Sequence, residues 1–110
     1  MDPGTIVLVH LVSPKEKYWG VLKQLGPAGI TLRGIDVELF DDWARQARGK
    51  GEPELGLVTL FFPLHRVEKM FEDARVGAVA SYQERFLGMV GRDVRSFLVD
   101  PVPDRGGPLN

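Results

Sequence analysis

Lys17–Asp36 reads KYWGVLKQLGPAGITLRGID, and its pattern is strand, tight turn, strand. Tyr18-Trp19-Gly20-Val21-Leu22 is aromatic and β-branched around one glycine, a composition that suits a pleated, half-buried surface. A glycine inside a strand marks a bend, a bulge or a close backbone approach, so Gly20 should interrupt this one. Gly26-Pro27-Ala28-Gly29 is a turn, in which proline presets φ and glycine supplies positive φ where it is needed. Ile30-Thr31-Leu32-Arg33 then alternates apolar and polar, the period of a strand with one wet face. The four-residue connection makes the pair a hairpin.

Working outward, Thr5–Val12 (TIVLVHLV) is a nearly continuous apolar run of strand length, expected to be buried on both sides for part of its course. His10, inside it, reads as a core-edge histidine with a hydrogen bond. Beyond Asp36 the period changes. Glu38–Arg48 places Leu39, Phe40, Trp43 and Ala47 at helical spacing, with acids early and arginines late, as the helix dipole favours. Gly49–Glu54 follows as a linker, with Gly49 as the stop. Residues 38–56 are thus an insertion between the third and fourth strands, and Trp43 pins its helix to the rest of the fold. Leu57–Phe62 (LVTLFF) is a fourth strand, and Pro63 puts a corner at its end. Leu64–Phe71 continues as a fifth. Asp73–Ala80 is a loop, and the adjacent acids Asp41-Asp42 and Glu72-Asp73 read as solvated charge.

Ser81-Tyr82-Gln83-Glu84 has capping-box spacing, so a helix starts there. Tyr82, Phe86, Met89, Val90, Val94, Phe97 and Leu98 keep a 3.6-residue stripe, with Gly91 as the place where it can break in two. Residues 1–99 form one domain: a barrel over 5–72 and a C-terminal helix over 81–99. Residues 100–110, with three prolines and two glycines, read as a flexible tail. The fold expected is mainly β with added helices, a five-stranded SH3- or Sm-like barrel. Its core should include Ile6, Leu8, Leu22, Leu32, Val58, Leu60 and Val67.

The 110 residues are 44% apolar and 26% charged, with a formal net charge of −1 and no cysteine. That balance is ordinary for a globular domain and sets up no global field toward nucleic acid or anionic membrane. Disulfides, thiolate nucleophiles and zinc–cysteine sites are excluded. No apolar run approaches the roughly 20 residues of a membrane helix, and Met1–Gly4 shows no signal-peptide pattern, which gives a cytoplasmic location by default. Three serines and two histidines assemble no nucleophile–base signature, and His10 and His65 lie on different strands with no carboxylate motif beside them. The expectation is a non-catalytic domain without cofactor or metal.

Several residues resemble the Sm-like family. Gly20-x-Leu22-x-x-Leu25 followed by Ile30 and Leu32 is similar to the first Sm motif, with the spacing of the bacterial Hfq branch. His65-Arg66-Val67, past a corner between two strands, is similar to the His-Ala-Ile segment of the second Hfq motif. The resemblance covers about Thr5–Phe71. It implies ring assembly through pairing of the fourth and fifth strands of neighbouring copies, and RNA as a ligand. The chain departs from the family at three motif positions. Gly26 stands where an acid is usual, Ile30 where Sm proteins carry an RNA-contacting asparagine, and Leu64 where Hfq has lysine. Only His65 matches the uridine-binding site.

Two functions are therefore carried forward, ahead of a third, an enzyme or small-ligand binder with a pocket between barrel and tail, which no residue pattern supports. One is a binding or assembly module that self-associates or takes a protein partner. The other is RNA binding through a local basic and aromatic patch, since bases stack on aromatic rings between cations. From Lys15 to Arg33 four cations stand against Glu16 alone. The candidate contacts are Lys17, Tyr18, Trp19, Lys23 and Arg33, with His65, Arg66 and Lys69 as a second group.

Overall fold

The computed structural model describes residues 1–49 and 55–98. The expected linker at 50–54, Val99 and the tail at 100–110 lie outside the described residues. The elements run β1 (Ile6–Leu11), β2 (Glu16–Leu25), β3 (Gly29–Asp36), a 3-10 turn (Val37–Leu39), α1 (Phe40–Ala47), β4 (Val58–Pro63), a 3-10 turn (Leu64–Arg66), β5 (Val67–Glu72), α2 (Tyr82–Val90) and a 3-10 turn (Val94–Phe97). The five strands form one antiparallel sheet in the order β4-β3-β2-β1-β5.

The hairpin that decides the fold is present, with Gly26 and Gly29 bonded to each other in both directions at 3.0 and 3.3 Å. Neither glycine has positive φ. Gly29 is required for a different reason: a Cβ there would lie 2.2 Å from Phe62 O and 2.7 Å from the Phe61 ring. Gly20 is the close approach expected of it. It faces Gly34 across the β2–β3 ladder, and a Cβ on it would stand 2.2 Å from Arg33 O. The two strands touch backbone to backbone there, in the middle of the ten-residue β2. The β2–β3 register then slips between Leu22 and Gln24, and that of β1–β5 between His10 and Leu11. Such irregularities bend a sheet.

The sheet divides two cores, because side chains alternate across a strand. Ile6, Leu8, Trp19, Val21 and Ile35 face α1 and α2, where Phe40, Trp43, Ala44, Ala47, Phe86, Val94 and Leu98 complete the first core. Val7, Val9, Leu11, Leu22, Ile30, Leu32 and Phe62 form the second. No described helix contributes to it, so the sheet curls until its own halves cover that face. The sheet stays open, however. β4 and β5 are its two ends, and no ladder joins them.

Edge position explains the departures from the expected core. Ile6, Leu8, Leu22 and Leu32 are buried, Leu60 and Val67 are half-buried, and Val58 is 49% exposed at the start of β4. Leu39 belongs to the 3-10 turn before α1 and is exposed, and Ala44 joins the buried stripe of α1. The fifth strand starts at Val67, because Leu64–Arg66 turns as a 3-10 helix after Pro63. The capping box forms as expected: Ser81 Oγ accepts from Glu84 N at 3.0 Å, and Ser81 N donates to Glu84 Oε1 at 2.9 Å. Gly91 caps α2 in the left-handed conformation, φ +80°, so the C-terminal stripe is an α-helix followed by a 3-10 turn.

Asp73 corrects the reading of Glu72-Asp73 as solvated charge. It is 4% exposed. Its Oδ1 accepts from Tyr82 N at 2.9 Å; its Oδ2 accepts from Gln83 N at 3.0 Å and from Trp19 Nε1 at 3.1 Å. A carboxylate suits the positive end of a helix, and this one ties that end to the central strand. Arg85 adds an ion pair to Asp41 and lies over the Phe40 and Tyr82 rings, joining α2 to α1.

Candidate functional site

The eight candidate contact residues do not form one patch. Trp19 is fully buried, ringed by Phe40 and Trp43 and bonded to Asp73, so it offers no face for a base to stack on. Tyr18 points to the other face of the sheet, where its ring leans on Phe62 at 5.0 Å. Burial pushes its hydroxyl pKa up, and Glu16 and Asp36 add to the effect. Arg66 is committed internally. It donates to Val12 O, Pro14 O and Glu16 Oε1 at 3.1, 2.8 and 2.9 Å, clamping the loop between β1 and β2. His65 is exposed on the 3-10 turn and Lys23 is exposed beside the β2 bulge. Arg33 sits between Val21 and Thr59. Its Nη1 reaches Thr59 Oγ1 at 3.5 Å, and its Nε is buried with no hydrogen-bond partner among the described residues.

Lys17 and Lys69 do come together. They flank His10 in the register of β2, β1 and β5, on the face that also carries Leu8 and Trp19. This row lies in a cleft of about 720 Å³, with Lys15, Glu16, Asp36, Val37, Glu38 and Glu68 among its walls. The His10 and Phe71 rings meet in a T-shaped pair with centroids 5.1 Å apart. Burial holds its pKa below the ordinary value, Lys17 and Lys69 lower it further, and Glu68 opposes them. Neither Lys17 nor Lys69 takes part in an ion pair among the described residues. The sequence alone puts the two lysines in separate groups, because only the strand order β2-β1-β5 makes them neighbours.

The second feature is the free edge of β4. The strand VTLFFP carries no charge. Phe61 is 56% exposed, and Leu64 just beyond the strand 44%. An open strand edge presents unpaired N–H and C=O groups to any strand that can reach it. Among the described residues there is no group of three or more metal-ligating side chains and no helix long and apolar enough to cross a membrane. No family model, no curated protein and no solved structure matches this chain.

Proposed function

We propose that this protein is a non-catalytic binding and assembly domain of Sm-like descent that works through the free edge of β4. The observation that carries the reading is that edge: a six-residue strand, uncharged, open on one side among the described residues and flanked by exposed apolar side chains. Natural edges are usually guarded by charge, bulge or cover, so a bare one is best understood as a docking edge. The Sm-like part of the reading is supported by the close backbone approach at Gly20, by the β2 irregularity just beyond it, and by His65-Arg66, which occupy a single tight turn between β4 and β5. The test is photo-crosslinking in the native cells, with benzoylphenylalanine placed at Phe61 or at Leu87, which is 54% exposed on α2. Adducts specific to position 61 are expected, and adducts of equal yield from both positions, or none, overturn the reading.

RNA binding is the second reading, favoured by the row Lys17–His10–Lys69 with Lys15 in the same cleft. Phosphate contacts weaken with salt, so titration of mixed-sequence single-stranded RNA at low salt is the sensitive test. The Lys17→Glu/Lys69→Glu variant should lose any binding seen. If wild type shows no binding at low salt, this second reading is discarded.

A further inference from the structure

The two free edges of the sheet are not equivalent. β5 carries Glu68, Lys69 and Glu72 and a register shift against β1, the devices that keep an edge from pairing. β4 has no charge, and among the described residues its one guard is Pro63 at the last position.

The ladder fixes which groups β4 offers. Leu64 N donates to Ala28 O at 3.2 Å, just past the Gly29–Pro63 pair. Residues of an antiparallel strand alternate between bonding one neighbour and the other. Counting back from Leu64, it follows that Phe62, Leu60 and Val58 bond to β3, whereas Thr59 and Phe61 turn their N–H and C=O groups outward.

We propose that β4 pairs with β4 of a second copy of this chain, antiparallel about a two-fold axis at Leu60. The inference rests on the reading of β4 as a docking edge, and it names the occupant. In this register Thr59 of each copy faces Phe61 of the other, and all their outward donors and acceptors are used. Sliding the strands so that Phe61 faces Phe61 sets Thr59 against Pro63, which has no N–H to give. A two-fold places each strand against itself, so a self-pairing edge must carry no charge that would meet its own kind. β4 meets that condition, whereas β5 would set glutamate near glutamate. Charge thus argues for a second copy on this edge. The pairing also sets Leu60 beside Leu60 and Val58 beside Phe62, extending the second core across the axis and covering the exposed Val58.

The chain has no cysteine, so a single introduced thiol can link only to another copy. Leu60→Cys should oxidise readily to a covalent dimer, because facing residues outside the hydrogen-bonded pairs lie close enough for a disulfide. Val58→Cys, which faces Phe62 in this register, should stay largely unlinked. Light scattering of wild type should give twice the 12.2 kDa chain mass, and Thr59→Pro, which removes an outward N–H and leaves the β3 ladder intact, should give the chain mass. A wild-type monomer at high concentration overturns the second copy as occupant. Adducts at position 61 would then keep the edge reading alive with another partner, and their absence would end both. A ring-sized mass, a dimer that survives Thr59→Pro, or linkage equal at positions 58 and 60 overturns the two-fold pairing.

Discussion

Single side chains at two positions hold distant parts of the chain together. Asp73 receives the Trp19 indole and two α2 amides, so removing it leaves one buried and two part-buried donors without their partner. Asp73→Ala should cost about 2–4 kcal/mol in urea unfolding, the range expected for orphaned buried groups and a lost helix cap; an effect under about 0.5 kcal/mol, as for a plain surface change, would refute this role. Nothing in Glu72-Asp73 announces it, because the partner indole lies 54 residues away. Gly20 is legible, since a glycine inside an aromatic strand signals a bend or a close backbone approach. Gly20→Ala should cost about 1–3 kcal/mol through overpacking, whereas Gly26→Ala, with nothing within 4 Å of the new methyl, should be near neutral by thermal melt. His10 adds a pH dependence. Its pKa is held below the ordinary 6.5 by burial, then by Lys17 and Lys69, against Glu68. The unfolded chain therefore binds the proton first as pH falls. Stability should decline from pH 6.5 down to the folded value and level off below it. His10→Gln should flatten that part of the curve in denaturant titrations at stepped pH.

Secondary-structure elements with local signals are read directly from the chain. The β2–β3 hairpin, the capping box at Ser81 and the stop at Gly91 each depend on residues within a few positions of one another, and all three stand in the structure. The strand VTLFFP is equally visible, but its place at the edge is not, because that depends on strand order; for this reason Val58 reads as core. How the candidate contact residues group is hidden in the same way, since facing direction and strand order decide which are neighbours: Trp19 turns inward, whereas Lys17 and Lys69 meet across His10. The capping box also sets a pH response. The Ser81 N–H holds the Glu84 carboxyl below its ordinary 4.5, Arg75 adds to the effect, and burial works against them. A carboxylate lowered on folding stabilises above its unfolded value and loses that effect as pH falls through its folded one. The stability difference between wild type and Glu84→Gln should be present at neutral pH and vanish in acid. A difference unchanged at low pH would mean that the carboxylate charge is not what the cap uses.

The whole molecule is a partition with a different filling on each side. On the helix side Trp43 touches the Trp19, Phe40, Phe86 and Phe97 rings at 5.1–6.1 Å, so sheet, α1, α2 and the last 3-10 turn share one side chain. Trp43→Ala should cost about 3–5 kcal/mol, as large aromatic truncations in a core do. Tryptophan fluorescence and far-ultraviolet circular dichroism should follow a single unfolding transition in wild type. Two separated transitions would mean that the helices melt before the sheet.

β1 lies inside that partition, between β2 and β5. It is bonded along both edges, to β2 and β5, and its Ile6, Val7, Val9 and Leu11 are almost fully covered. Water can reach its amides only when the whole chain opens, so their deuterium uptake should track global stability. Thr59 and Phe61, turned outward on β4, have no such shelter in a lone chain. The spread between the slowest amides of β1 and these two is a built-in gauge: one end reads the free energy of the fold, and the other reads whether the edge is occupied.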